Sequence, residues 1–179
     1  MARVFPETLP REVKQDPKRS AEIKLYNQLK LSLDNCWTVF YSVAWLNRTY
    51  QDGSPVDGET DFIVCHPDKG ILLIEVKGGI IIFDGSVGKW QSKDRNQKIH
   101  NIKNPFEQVK RSKYALIDKI KEYSPHIGYI TLVHSVAFPD IDDVPYNLTP
   151  AAPKDIIITG SDINRLESRL GAIFTFWST

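Results

Sequence analysis

The pattern of apolar and polar positions predicts two long amphipathic helices. Residues 18–33 (KRSAEIKLYNQLKLSL) and 105–123 (PFEQVKRSKYALIDKIKEY) repeat apolar residues every three or four positions, the period of a helix with one buried face. Asp16-Pro17 and Asn104-Pro105 precede them, each a capping side chain followed by a proline suited to the first helical position. The predicted core stripe of the second helix is Phe106, Val109, Leu116, Ile117, Ile120 and Tyr123.

The rest of the chain contains runs of β-branched and aromatic residues that are typical of strands. The predicted strands are 37–46, 60–65, 71–77, 80–85 with a hairpin into 89–92, 129–138 and 155–159. Residues 47–58 and 139–153 are predicted loops, and a last helix is predicted over 163–173. This order of elements predicts an α/β fold with a mixed central β-sheet flanked by helices.

Length and composition indicate one ordinary globular domain of 179 residues. We expect residues 1–15 to form a flexible N-terminal arm and residues 16–179 a single domain, and the apolar end of the chain suggests that this domain is excised from a longer multidomain protein. Cys36 and Cys65 are too few for a disulfide framework or a zinc site, and we expect two free core thiols. With no signal segment and no apolar run of about 20 residues, we expect a cytoplasmic protein.

The net charge is only +1, but the middle of the chain contains a basic segment. Residues 89–122 hold ten Lys or Arg against four acidic residues, which suggests a surface that faces a polyanion. A solvated helix face with scattered lysines is the alternative. The candidate nucleic-acid-binding residues are Lys89, Lys93, Arg95, Lys98, Lys103, Lys110 and Arg111.

The strand ending in GILLIEVKGG carries two charges where it would otherwise be buried. Glu75 and Lys77 are two residues apart, so they project from the same face. A hairpin centred on Asp68 sets Asp61 directly opposite Glu75, where two carboxylates repel each other. A divalent cation between them would remove this repulsion, since Mg²⁺ favours carboxylate and water oxygens. A self-contained ion-pair network at the strand end is the alternative.

Two helical residues are further candidates for this site. Glu22 shares the apolar stripe of Tyr26, Leu29 and Leu33 and should point inward, although a first-turn glutamate favoured by the helix dipole is an equal alternative. Gln108 falls on the flank of the core stripe of the second helix, where it could face the same sheet edge.

The combination of Glu22 in SAEIKLYNQL, Asp61 in GETDFIV, Glu75 and Lys77 in ILLIEVKGG, and Gln108 in NPFEQVKRSKYAL resembles the nuclease-related domain (NERD) family of the PD-(D/E)xK nuclease superfamily. The resemblance spans residues 16–123, and one departure is Thr60 where the superfamily pattern has proline. It implies a restriction-endonuclease-like core that places carboxylates around Mg²⁺ or Mn²⁺. Such domains are often joined to helicases or other DNA-processing modules.

The function predicted from these features is metal-dependent hydrolysis of a nucleic-acid phosphodiester, with DNA favoured. Asp61, Glu75 and the Val76 carbonyl would bind the metal, with Glu22 as a further candidate ligand. Lys77 would orient the attacking water or stabilise the transition state, and Gln108 would position metal or phosphate. The first alternative is a catalytically weak or inactive DNA-binding module attached to a helicase or other DNA-processing protein. The second is a structural domain in which Glu75 and Lys77 form only an ion pair.

Overall fold

The computed structural model describes residues 1–48, 55–126, 128–144 and 148–178. The helices are α1 (Arg11–Gln15), α2 (Ser20–Ser32), α3 (Pro105–Tyr123) and α4 (Leu166–Ser178). The strands are β1 (Arg3–Phe5), β2 (Thr38–Arg48), β3 (Pro55–His66), β4 (Gly70–Val76), β5 (Ile80–Asp84), β6 (Lys89–Lys93), β7 (Ile99–Ile102), β8 (Leu132–Phe138) and β9 (Ile157–Thr159).

A six-stranded mixed sheet in the order β1-β2-β3-β4-β8-β9 forms the centre of the fold. Strands β2, β3 and β4 are antiparallel, whereas the β1–β2, β4–β8 and β8–β9 pairs are parallel. Strands β5, β6 and β7 form a separate antiparallel sheet. The predicted α/β class with a mixed central sheet is confirmed.

Both faces of the central hairpin of β3 and β4 are buried. Phe62 and Leu72 belong to an apolar cluster that includes residues of α2 and α4. Ile63 and Leu73, on the opposite face, belong to a second cluster with Phe106 and other residues of α3. Strand β4 therefore lies in the middle of the sheet and is covered by helices on both sides.

The two predicted helix starts are confirmed. The Asp16 carboxylate accepts a hydrogen bond from the Lys18 amide and begins a 3₁₀ turn, Pro17–Arg19, that leads into α2. The Asn104 side chain accepts from the amides of Phe106 and Glu107 at the start of α3. Each cap satisfies amides that have no partner within the helix.

The N-terminal residues differ from the predicted flexible arm. Arg3–Phe5 pairs with β2 in parallel, and Ala2, Val4 and Leu9 are buried in the core cluster of α2 and α4. A short edge strand with one buried residue carries too weak a periodic signal to be seen in a polar, proline-containing stretch.

Several element boundaries also differ. Strand β3 begins at Pro55 and β2 continues to Arg48, so the ends of the predicted 47–58 loop are strand, while 49–54 lie outside the described residues. Strand β7 was not predicted, since it is short and polar and forms by pairing with β6. The final helix starts as a 3₁₀ segment, Gly160–Arg165, capped by Thr159, and α4 continues to Ser178 rather than 173.

The core stripe predicted for α3 is wrong at its C-terminal end. Tyr123 is 76% exposed, the buried residues of α3 end at Ala115, and Leu116, Ile117 and Ile120 are only half-buried. Ser112 and Ala115, which are not part of the predicted stripe, are buried. Both cysteines are free, but Cys36 is exposed and Cys65 half-buried, so the prediction of two core thiols is wrong for Cys36.

Candidate active site

The β3–β4 hairpin has the register that the sequence predicted. Val64 pairs with Leu72 and Phe62 with Ile74, and one further step in this register sets Asp61 opposite Glu75. On its other side Glu75 pairs with Val136 of β8, one residue beyond the last pair of the β3–β4 ladder. The carboxylates of Asp61 and Glu75 therefore leave adjacent strands at the same end of the sheet.

Each of the two carboxylates has a fixed partner. The Val76 amide donates to Asp61 Oδ2 at 2.7 Å, and the Lys77 ammonium lies 2.6 Å from Glu75 Oε1. Glu75 is only 5% exposed. The ion pair predicted as an alternative thus forms, but Lys77 supplies one positive charge to a site with two carboxylates.

Burial disfavours the ionised forms of the two carboxylates in this site. Burial, followed by the charge of Glu75, raises the pKa of Asp61 to about 8, while the Val76 hydrogen bond opposes this shift. Burial also raises the pKa of Glu75, and the ammonium of Lys77 counteracts that rise. Two neighbouring carboxylates whose pKa values are both raised form a site that a cation would stabilise.

Glu22 lies in the first turn of α2 and faces the same region. Its carboxylate accepts a hydrogen bond from the Tyr41 hydroxyl at 2.6 Å and lies 3.4 Å from the Arg19 guanidinium. Burial raises the pKa of Glu22, and the Tyr41 hydrogen bond and Arg19 charge offset part of that rise. The charge of Glu22 also raises the pKa values of Asp61 and Glu75. The inward orientation is therefore correct, even though Glu22 is also a first-turn residue.

Gln108 is half-buried on α3, and its Oε1 atom is buried without a hydrogen-bond partner among the described residues. One turn further along, the Ser112 hydroxyl donates to the Glu59 carbonyl at 3.3 Å and attaches α3 to β3. A buried acceptor without a partner is uncommon in proteins, and it leaves Gln108 Oε1 able to accept a hydrogen bond from a further group.

The glycines after Lys77 bring two other elements close to the strand end. A Cβ atom at Gly78 would lie 3.1 Å from the Cβ of Ala21 in α2. Gly79 has a φ of +80°, and a Cβ there would lie 2.6 Å from the Lys93 carbonyl oxygen of β6. Because these residues have no side chain, α2 and the small sheet can pack closely against the end of β4. Helix α2 carries Glu22.

Ser42 and Glu59 of the site region were missed in the sequence, as were Tyr41 and Arg19, which contact Glu22. The β2–β3 ladder pairs Tyr41 with Phe62 and Val43 with Thr60, so the same register sets Ser42, whose φ is 53°, opposite Asp61, and the ladder leaves this one pair out. The Ser42 hydroxyl donates to Glu59 at 2.6 Å, and the charge of Glu59 raises the pKa of Glu75. Glu59 could have been noticed, since it is two residues before Asp61 and shares its strand face.

The predicted nucleic-acid-binding residues occupy three places. Lys89 and Lys93 lie at opposite ends of β6, and β6 meets Gly79 at the Lys93 end. Arg95 and Lys98 lie in the β6–β7 turn and Lys103 just before α3, with Lys110 and Arg111 on α3 itself. Of the seven, Lys93 is half-buried and the others are exposed.

Carboxylate and carbonyl oxygens, the atoms that Asp61, Glu75 and Val76 carry, are the ligand type that hard divalent cations prefer, together with water and phosphate oxygens. Among the residues that the structure describes, no group of three or more His, Cys, Asp or Glu side chains is arranged to hold a metal ion. In the same part of the chain, no helix has the length and apolar character needed to cross a membrane.

The comparison with protein families identifies the chain. The sequence profile of the nuclease-related domain (NERD) family matches residues 17–139, more than two-thirds of the chain. The match runs from the turn before α2 to just past the end of β8 and includes the candidate site residues Glu22, Asp61, Glu75, Lys77 and Gln108. No curated protein and no solved structure matches the chain. The chain therefore belongs to the nuclease-related domain family.

Proposed function

We propose that this nuclease-related domain hydrolyses the phosphodiester bonds of nucleic acid, with DNA as the favoured substrate, and that a divalent cation is required. The observation that carries the proposal is the placement of Asp61 and Glu75 at the same end of two adjacent strands, both at least partly buried and with Lys77 as the counter-charge beside them. Burying two neighbouring carboxylates is energetically unfavourable without a cation, and the same two carboxylates would bind a cation.

Asp61, Glu75 and the Val76 carbonyl would hold Mg²⁺ or Mn²⁺. When bound, the ion would lower the pKa of a water molecule and polarise the phosphate. Glu22 would bind the ion or hold one of its waters through a hydrogen bond. The Val76 amide keeps Asp61 oriented, since it donates to one oxygen and leaves the other available.

Lys77 and Gln108 would act on the phosphate. The Lys77 ammonium, now 2.6 Å from Glu75, is close enough to the carboxylates to stabilise negative charge that develops on phosphate oxygens during attack. Gln108 would donate from its amide to the phosphate or the water. The exposed residues Lys110 and Arg111 follow Gln108 on α3 and would contact the nucleic-acid backbone without reading its sequence.

A recruitment module is a second candidate function. The observation that favours it is the Lys77–Glu75 ion pair, which already neutralises one carboxylate, together with the lack of a three-residue metal group among the described residues. A domain of this kind would bind DNA for a helicase or other DNA-processing partner without cleaving it. That partner, like the cytoplasmic location, stays a prediction.

Cleavage of labelled single- and double-stranded DNA and of RNA, measured with Mg²⁺, Mn²⁺ or EDTA, tests the proposal. We expect cleavage only with metal, and we expect Glu75→Gln to lower kcat at least about 100-fold because it removes a metal-binding charge. Glu12→Gln, an exposed carboxylate on α1, is the matched control and should have no effect.

Three outcomes distinguish the candidates. Cleavage that survives EDTA, or that is unchanged in Glu75→Gln, contradicts the metal-dependent nuclease. Salt-sensitive DNA binding without cleavage favours the recruitment module. A protein that neither binds nor cleaves leaves the Glu75–Lys77 pair with a structural role only.

A further inference from the structure

Glu22 is held by a three-residue hydrogen-bonded network that links α2 to β2. The Tyr41 hydroxyl donates to Glu22 Oε2 at 2.6 Å, and Arg19 Nη1 lies 3.4 Å from the same oxygen. Arg19 Nη1 also donates to the Tyr41 hydroxyl at 3.0 Å. Both contacts of the carboxylate fall on Oε2, so Oε1 is left outside the network.

The tyrosine in this network has a fixed position. Tyr41 is 5% exposed, and its ring packs against Phe62 at 5.1 Å and Tyr26 at 5.9 Å between ring centroids. Tyr41 pairs with Phe62 in the β2–β3 ladder, one residue away from Asp61. Its hydroxyl is thus held in a constant relation to the strand that carries Asp61.

A structural role alone does not account for this arrangement. A first-turn glutamate can turn its carboxylate to solvent at little cost, whereas Glu22 is kept partly buried, where desolvation and the charge of Glu59 raise its pKa. Neutralising its charge would require only Arg19. The uncharged Tyr41 adds direction, because its single hydroxyl proton points at one oxygen while it accepts from Arg19.

We infer that Tyr41 and Arg19 are positioning residues, which hold the Glu22 carboxylate toward the Asp61–Glu75 pair so that Oε1 can accept a hydrogen bond from a water bound to the divalent cation. The inference rests on the proposed function and adds two residues to its site. The Glu22 side chain would otherwise sample several rotamers, and a metal site gains affinity when its ligands are oriented in advance by hydrogen bonds.

Tyr41→Phe tests the inference, with Tyr26→Phe as the matched control. Tyr26 is also buried in the same core cluster, and its hydroxyl donates to the Pro6 carbonyl at 2.7 Å, not to Glu22. We expect Tyr41→Phe to weaken Mn²⁺ binding about 10- to 100-fold, measured by the electron paramagnetic resonance signal of free Mn²⁺. Tyr26→Phe should leave Mn²⁺ affinity unchanged, and urea unfolding of both variants checks that each is folded.

A double-mutant cycle shows whether Tyr41 acts through Glu22. Glu22→Gln alone should weaken Mn²⁺ binding at least as much as Tyr41→Phe, and the combined variant should be no weaker than Glu22→Gln. In cleavage assays we expect Tyr41→Phe to lower kcat with little change in the KM for DNA. Equal Mn²⁺ affinities in Tyr41→Phe and Tyr26→Phe, or additive losses in the double variant, overturn the inference.

The failure of this inference is distinguishable from the failure of the proposed function. If the unaltered protein neither binds Mn²⁺ nor cleaves nucleic acid with it, both are overturned. If it does both, and Tyr41→Phe behaves as Tyr26→Phe does, only the inference that Tyr41 positions Glu22 is overturned.

Discussion

At the scale of single residues, the domain has a carboxylate, Asp61, at a position where an uncharged side chain would make the folded protein more stable. Asp61 is withdrawn from solvent beside Glu75, and its pKa is raised to about 8. Each unit of such a shift corresponds to about 1.4 kcal/mol of difference between the two protonation states. The metal-free protein is therefore least stable where Asp61 is ionised, which is the form needed to bind a cation.

We predict that the metal-free protein loses stability as pH rises from about 4 to about 8, through the contribution of Asp61. Below its unfolded pKa Asp61 is protonated in both states, whereas at higher pH the unfolded chain ionises first, so the free energy of unfolding falls until the folded pKa is passed. Asp61→Asn should abolish this contribution and be more stable by at least about 1.4 kcal/mol at about pH 8 in EDTA.

Urea unfolding of the two proteins between about pH 4 and about pH 9 measures this difference. Asp68→Asn, in the exposed β3–β4 turn, is the control and should follow the pH dependence of the unaltered protein. If Asp61→Asn and the unaltered protein lose stability in parallel over this range, burial of the Asp61 charge is not the cause.

At the scale of elements, the end of β4 depends on the close approach of its neighbours. The strand lies between β3 and β8, and the glycines that follow let α2 and β6 pack against its end. Gly79 combines a positive φ with a close contact to the Lys93 carbonyl, whereas Gly88 has a positive φ of 65° and open space around it. A substitution at Gly88 therefore tests backbone strain alone, whereas one at Gly79 tests strain and packing together.

We predict that Gly79→Ala destabilises the protein more than Gly88→Ala does. A left-handed conformation costs a non-glycine residue roughly 1 to 2 kcal/mol, and this should be the whole effect at Gly88. At Gly79 the new methyl group would also meet the Lys93 carbonyl oxygen at 2.6 Å, so the backbone must shift. The free energies of unfolding, from urea titration, should differ by more than about 1 kcal/mol. Equal losses would mean that the small sheet moves away freely.

At the scale of the whole molecule, the basic residues spread over two elements instead of forming one stripe. Lys89, Lys93, Arg95 and Lys98 belong to the small sheet and its turn, whereas Lys110 and Arg111 lie on α3. Most of these cations are exposed. Cations on separate elements can contact phosphates of a nucleic-acid backbone, because such contacts require charge and do not read the base sequence.

We predict that Lys110→Ala and Arg111→Ala each weaken DNA binding and reduce its salt dependence. Loss of one phosphate contact should lower the slope of log Kd against log salt by about 0.7 to 0.9. Fluorescence anisotropy of labelled DNA in EDTA measures the slope without cleavage. Lys69→Ala, an exposed lysine at the opposite end of the β3–β4 hairpin, should leave the slope unchanged. Slopes that do not distinguish the three variants would exclude α3 as a contact surface.

The sequence by itself determined the α/β class, the β3–β4 hairpin and the face shared by Glu75 and Lys77. These features depend on local rules: strand alternation, turn composition and helix capping act between residues close in the chain. The register that sets Asp61 opposite Glu75 follows from one short turn, and the Asn104 cap from three neighbouring residues. Such interactions are the same in any fold that contains the elements.

Only the tertiary structure decided which distant residues complete the site. Tyr41 reaches Glu22 because α2 packs across β2, and nothing in the polar, proline-containing start of the chain indicated that Val4 would join the sheet. The end of the buried stripe of α3 at Ala115 and the unpaired Ser42 in β2 likewise depend on packing between elements. Contacts between elements far apart in the chain are set by packing of the whole core, which local periodicity does not encode.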